Sequence, residues 1–187
     1  MSIEQWNERY RAGEQLFTEQ SPLVAAFSRE LEPGSALDLA CGPGRNSLYL
    51  AAQSWKVTAV DGSPLAIEIL RERARERKLE IESAVADLER DEYDIEPGAH
   101  DLICDCYYLQ RSLIRKMKLG VRPGGIIVAI VHLAEADQPQ GTPTRTRPGE
   151  LRGFFEGWKI LHAYEGKSRE VCHQRPVAEL VAQKPAG

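Results

Sequence analysis

Three aspartates and two glycines carry the chemistry legible in this chain. In residues 36–51, ALDLACGPGRNSLYLA, Asp38 lies three positions before the turn Cys41-Gly42-Pro43-Gly44. Asp61 comes 23 residues after Asp38, and Asp87 comes 26 after that. Each acid closes an apolar run of strand character. Open α/β sheets bind ligands at the carboxyl ends of their strands, where a carboxylate accepts hydrogen bonds from hydroxyls, amines and ammonium groups. Glycines in the adjoining turn remove the Cβ atoms that would hold a ligand away from the backbone. The plain alternative for each acid is a loop carboxylate or a helix cap. Ser63-Pro64 already supplies a cap after Asp61, whereas Glu89, Asp91 and Glu92 crowd Asp87. For Gly42 and Gly44 the alternative is a tight turn, which ligand binding also requires. The dinucleotide pattern G-x-G-x-x-G fails, because its third glycine is replaced by Ser47 and an acid precedes its first.

The elements that must position these residues alternate as strand and helix, the mark of a parallel sheet covered on both faces. Strands are expected at 36–40, 56–60, 81–86, 101–106 and 126–132. Helices are expected at 45–53, from Ser63-Pro64 onward, and at 110–118. Arg122-Pro123-Gly124-Gly125 reads as a turn into the fifth strand. Two last strands, near 158–164 and 177–183, have no helix between them and should pair antiparallel. Their link, 165–174, reads as an exposed loop. Before the first strand, 2–12 reads as a helix carrying Trp6, Arg9 and Tyr10. A second helix starts at Ser21-Pro22 and stops at Pro33-Gly34. The run RERARERK, 71–78, reads as a solvated helix face. Residues 135–149, rich in Pro, Gly, Thr and Gln, form a long connection of the kind that is functional or mobile.

The 187 residues suffice for one domain, expected over 1–187 with 1–33 as a helical cap. A net charge of −4 argues against broad nucleic-acid binding, which wants a basic surface. The polar N-terminus shows no signal peptide, and the longest apolar run, Ile126 to Val131, is too short for a bilayer. A cytoplasmic protein with no membrane partner is expected. Cys41, Cys104, Cys106 and Cys172 form no C-x-x-C pair and no zinc-like spacing, so free thiols and no metal are expected. No heptad or apolar patch stands out, and a monomer or weak homodimer is expected.

The pattern (apolar)-D-x-x-C-G-x-G resembles motif I of the class I S-adenosylmethionine methyltransferases. HDLICDCYYLQR at 100–111 resembles their motif IV strand and its exit, and VRPGGIIVAIV at 121–131 their "L-x-P-G-G" turn and fifth strand. WNERYRAG, YYLQRSL and PGELRGFFEGW are similar to the compact tellurite-resistance-type methyltransferases. The resemblance covers about 1–185. It implies a Rossmann-like α/β fold, a seven-stranded sheet in the order 3-2-1-4-5-7-6 with strand 7 antiparallel and helices on both faces. It implies S-adenosylmethionine as cofactor, S-adenosylhomocysteine as product and a small-molecule methyl acceptor. The cofactor site would comprise Asp38, Ala40, Gly42, Gly44, Asn46, Asp61, Gly62, Ala86, Asp87, Leu88, Asp105, Cys106, Tyr107 and Tyr10. In it Asp61 would accept the ribose hydroxyls, Asp87 the adenine amine, and Asp38 would orient the turn and meet the ammonium end. Leu88 would pack on the ring, the Asp105 or Cys106 backbone would meet the amino group, and Tyr107 would border the sulfonium. Cys106 departs from the Asn or Asp of many members, which rules against the N-P-P-Y type acting on exocyclic amines.

The acceptor is not readable from the chain. A thiolate, selenide or reduced tellurium would need no general base, whereas a hydroxyl would. His132, at the end of strand 5, is the best-placed candidate base; its alternative is a satisfied or exposed histidine. Arg111 could bind an anionic acceptor or make a surface salt bridge. Tyr107 is the third candidate. Trp6, Arg9 and Tyr10 read either as a lid or as ordinary packing, and Arg145 and Arg147 ride on the 135–149 connection. Two other readings remain: a non-catalytic S-adenosylmethionine sensor or interaction module, and a nicotinamide enzyme, against which Ser47 and Asp38 count.

Overall fold

The computed structural model describes residues 1–135, 140–170 and 173–186. Its strands are β1 (Ser35–Leu39), β2 (Lys56–Asp61), β3 (Ile81–Val85), β4 (His100–Cys106), β5 (Val121–His132), β6 (Lys159–Lys167) and β7 (Pro176–Gln183). They form one sheet in the order 3-2-1-4-5-7-6. β1, β2 and β3 pair in parallel, as do β4 and β5, and β7 runs antiparallel to both β5 and β6. Helices are α1 (Ile3–Arg11), α2 (Pro22–Ser28), α3 (Arg45–Ala52), α4 (Pro64–Glu76), α5 (Arg111–Gly120) and α6 (Glu150–Gly153). No helix among the described residues is long and apolar enough to cross a membrane. The chain divides into two compact units, 1–94 and 95–187.

In the first unit, successive residues of β1 are buried, which requires cover on both faces because side chains alternate. Leu48 of α3 and Ile67, Leu70 and Ala74 of α4 bury against Ala59 of β2. β3, mostly half-buried, is the outer strand. Ser63 caps α4 by accepting the Ala66 amide, with Pro64 next, as its sequence predicts. The helix after Ser21 is shorter than expected: it ends at Ser28, well before Pro33. Ser21 supplies no side-chain cap, and its amide donates instead to Asn46 Oδ1 at 2.8 Å.

In the second unit, β4 and the body of β5 are buried almost throughout. The expected Arg122–Gly125 turn is a bulge within β5. His100 pairs with Val121 and Leu102 with Ile126, so four residues on β5 face one on β4. Arg122 pairs with Asp101, while Gly124 and Gly125 exchange hydrogen bonds with Lys184 beyond β7. The 165–174 link is not simply an exposed loop. β6 runs through Lys167, and Ser168 and Glu170 are buried. Cys172 and residues 136–139 of the long connection lie outside the described residues.

Candidate functional site

In the first unit the strand register brings the three acids to one edge. Asp61 is the last residue of β2, opposite Val85 at the end of β3, and Ala86 and Asp87 follow. Asp38 is one residue from the end of β1, opposite Ala59. Their surroundings differ. Asp38 is 1% exposed and accepts the Ser47 hydroxyl at 2.5 Å. It works from beneath the turn, tying β1 to the start of α3. That bond accounts for both departures from the dinucleotide motif, since an acid before the glycines uses the serine that replaces the third one.

Asp61 holds the turn from the other side. Its Oδ2 accepts the Gly42 amide and its Oδ1 the Ser63 amide, both at 2.8 Å. Burial raises its pKa above the ordinary value, while the two amides pull it down. Each carboxylate oxygen has two lone pairs, so each keeps acceptor capacity for a further donor. Asp87, in contrast, caps the single-turn helix Leu88–Arg90. Its Oδ1 accepts the Glu89 amide and its Oδ2 faces Arg90 Nε at 3.4 Å. Leu88 is buried beside it, and the Ala86 amide donates to the Asp61 carbonyl.

The glycines serve this turn in different ways. Gly44 has φ +82, and a Cβ there would fall 2.0 Å from Leu70 Cδ1. Packing on α4 therefore excludes a side chain there. Gly42, at φ +54, leaves a site that the Tyr10 hydroxyl approaches to 3.2 Å. Between them and β1, Ala40 adopts φ +50, a left-handed conformation that an L side chain resists. Burial, then the Cys41 neighbours Asp61 and Asp38, push its thiol well above the ordinary range, so it stays protonated and unreactive. Asn46 is committed to Ser21 as described above.

α1 sits on this cradle. Ile3 lies 3.0 Å from the Cβ position of Gly62. Asn7 is buried and its Oδ1 accepts the Ser63 hydroxyl at 2.5 Å. The Tyr10 ring stacks on Trp6 at 5.8 Å, and Arg9 lies over Trp6. Burial and the nearby Asp61 charge raise the Tyr10 pKa, so its hydroxyl stays a donor. Sequence reasoning missed Asn7 and also Arg73. Arg73 is not part of a solvated face: it donates to the carbonyls of Leu16, Phe17 and Pro43, joining the post-α1 segment to the glycine turn. The signal was an arginine within a run of arginines, which periodicity cannot single out.

In the second unit, Asp105 is buried and Cys106 ends β4. Tyr107 follows in a left-handed conformation, φ +68, and its amide donates to the Ile130 carbonyl. Strained backbone of this kind persists where surrounding structure enforces it. The Tyr107 ring stacks on His173 at 3.5 Å and lies 5.5 Å from His132. Its hydroxyl is 3.4 Å from Ser168 Oγ. His132 Nδ1 is buried without a hydrogen-bond partner among the described residues. Burial first, then Arg175 and Arg145, push the His132 pKa below its ordinary value, against the Pro176 carbonyl and Glu135. His173 and Ser168 were missed because their segment carries no periodicity.

Arg111 is otherwise occupied. Its guanidinium grips Glu150 at 2.7 and 3.2 Å and the carbonyls of Thr142, Pro143 and Arg145. It anchors the 140–149 connection rather than standing open to an anion.

A glycine turn after β1, acids along the β1–β3 edge and a 3-2-1-4-5-7-6 sheet with an antiparallel β7 define the Rossmann-like methyltransferase fold. The sequence model described as "Tellurite resistance protein TehB" matches residues 5–174, and the chain belongs to this family. It is 29% identical over 175 residues to "Hemagglutinin 1" of Eikenella corrodens, covering 82% of this chain and 55% of that protein. It is 28% identical over 152 residues to the "Probable S-adenosyl-L-methionine-dependent methyltransferase TehB" of Haemophilus influenzae, covering 76% of this chain and 52% of that protein. The chain thus spans about half the length of these curated relatives. The crystal structure of TehB from Haemophilus influenzae matches with TM-score 0.78 at 26% identity, over 95% of this chain and 66% of that one. The 1,6-didemethyltoxoflavin-N1-methyltransferase of Burkholderia thailandensis, solved with bound 1,6-didemethyltoxoflavin and S-adenosylhomocysteine, shares the fold at TM-score 0.73 and 17% identity, covering 98% of this chain and 87% of that one.

Proposed function

We propose that the chain transfers a methyl group from S-adenosylmethionine to a small-molecule acceptor. The observation that carries this reading is the Asp61 carboxylate. It is half-buried, braced by two backbone amides and left with spare lone pairs at the end of β2. Such a group suits a vicinal diol. Beside it the donor set of the first unit fits the rest of the cofactor: the Gly42 and Gly44 turn, the Tyr10 hydroxyl, Gly62, Ala86 and the Asp87-Leu88 pair.

When bound, S-adenosylmethionine supplies an electrophilic methyl carbon. The protein's own work is to hold and to exclude. Asp38 and Ser47 set the turn, Asp61 orients the sugar, and α1 with Tyr10 keeps water from the cradle. Positioning of this kind contributes up to roughly 7–11 kcal/mol in ideal cases. The protonated Cys41 thiol does not compete as a nucleophile.

Calorimetry with S-adenosylhomocysteine tests the reading. Asp61→Ala is expected to weaken binding at least about tenfold, because hydrogen bonds to a charged partner contribute about 1.5–3 kcal/mol. Absence of binding by the wild type ends the proposal. Binding with no turnover on thiol, selenite, tellurite or phenol acceptors leaves the sensor reading instead.

A further inference from the structure

One face of α1 meets the backbone positions that surround Asp61. Ile3, Asn7 and Tyr10, spaced four and three apart, share that face. Ile3 lies 3.0 Å from where a Gly62 side chain would start, and the Tyr10 hydroxyl lies 3.2 Å from where a Gly42 side chain would. Between them Asn7, only 8% exposed, accepts the Ser63 hydroxyl on Oδ1 at 2.5 Å. Gly62 and Ser63 follow Asp61 in the chain, and the Gly42 and Ser63 amides are the two that brace its carboxylate. Among the described residues no side chain donates a hydrogen bond to that carboxylate. Its ionisable neighbours, Tyr10 on α1 and Cys41 in the turn, are both held protonated, by burial first and then by the Asp61 charge.

The Asn7 amide has one orientation that satisfies both of its ends. It hydrogen-bonds Glu4, one turn earlier, and Arg11 pairs with the same carboxylate at 3.1 Å. A carboxylate only accepts, so Nδ2 donates to Glu4 and Oδ1 is left for Ser63. The Ser63 hydroxyl has a single proton, and its oxygen already accepts the Ala66 amide at 3.0 Å. A proton given to Asn7 is not given to Asp61, which Ser63 already contacts through its own amide.

We propose that Asn7 is a positioning residue for the sugar-binding carboxylate: by taking the Ser63 hydroxyl proton it keeps the Asp61 lone pairs open to a vicinal diol. This rests on the methyltransfer reading above. Asn7 acts through Ser63 and not on the ligand. With an aliphatic side chain at position 7, the Ser63 hydroxyl turns to the Asp61 carboxylate and competes with the sugar for it.

Adenosine and dideoxyadenosine, which lacks both ribose hydroxyls, serve as probes. Both are measured as competitors of S-adenosylhomocysteine on the full chain. The wild type is expected to prefer adenosine at least about tenfold. Asn7→Leu is expected to cut that preference by about three- to tenfold, the reach of one hydrogen bond, through weaker adenosine binding alone. Ser63→Ala removes the competing proton, so the double variant Asn7→Leu/Ser63→Ala is expected to recover the preference. If Asn7→Leu does not fold, Asn7→Val, the smaller apolar replacement, carries the same test. A preference that survives the substitution of Asn7, or a loss that falls equally on both probes and is not recovered with Ser63→Ala, overturns the inference alone. A wild type that binds S-adenosylhomocysteine without preferring adenosine, or does not bind it, overturns the reading on which the inference rests.

Discussion

Ala40 and Asp61 show how much the first-unit site asks of single residues. Ala40 is held at φ +50, where an L residue is disfavoured by about 1–2 kcal/mol. Glycine removes that strain but gains about 0.5–1 kcal/mol of unfolded-state entropy. Ala40→Gly is therefore expected to raise the thermal midpoint slightly, by roughly 1–3 °C for a chain of this size. A lower midpoint would show that the Ala40 methyl packs usefully. Asp61 titrates in the opposite sense to most carboxylates. Its folded pKa is raised, so ionised Asp61 costs stability at neutral pH, and the cost is relieved as pH falls through that raised value. In the proposed function the ionised carboxylate is the form that accepts the ribose hydroxyls. S-Adenosylhomocysteine affinity should thus decline on acidification while pH is still above the ordinary aspartate value of 3.8. Asp61→Asn should bind more weakly and lose that dependence, as calorimetry across the acid range would reveal.

At the scale of elements, the structure turns connections into supports. Arg111, at the start of α5, ties the 140–149 connection to Glu150 and three carbonyls. The Arg111 hydrogen bond is the chief cause that lowers the Glu150 pKa. A depressed carboxyl pKa stabilises the fold above its unfolded value of 4.5, and that contribution disappears as pH falls through the folded value. Arg111 is 37% exposed, so solvent screens the pair and about 1 kcal/mol is the expected cost of Arg111→Gln near neutrality. Urea denaturation should show the difference between wild type and variant shrinking below about pH 4.5. A constant difference at all pH values would assign the effect to the carbonyl contacts alone. In the first unit, Arg73 and Asn7 brace α1 and its following segment against the cradle. Caps, breakers and periodicity made α3, α4 and all seven strands legible in the sequence. They did not reveal the bulge at 122–125, because a Pro-Gly-Gly run signals a turn whether it ends a strand or interrupts one.

For the whole molecule, cofactor linkage is the accessible measurement. A ligand at one hundred times its Kd stabilises the native state by about 2.7 kcal/mol, which lifts the midpoint of a chain this long by roughly 5–11 °C. S-Adenosylhomocysteine is expected to produce such a shift, and NADH none. A larger shift with NADH would restore the nicotinamide reading. The half-length match to curated relatives gives this test weight, since it asks whether this chain by itself binds the cofactor.

Local chemistry was sufficient to determine the order of strands and helices, the glycine turn and the acids at the strand ends, because each depends on residues close in sequence. The family resemblance, not periodicity, supplied the 3-2-1-4-5-7-6 order. Tertiary structure alone decided what each polar group spends itself on. It buried Asp38 on Ser47, gave Arg111 to a loop, and drew Arg73 off a solvated face. It brought His173 onto Tyr107 beside His132. Hydrogen-bond partners far apart in the chain meet only after the sheet has formed, so no local pattern encodes them.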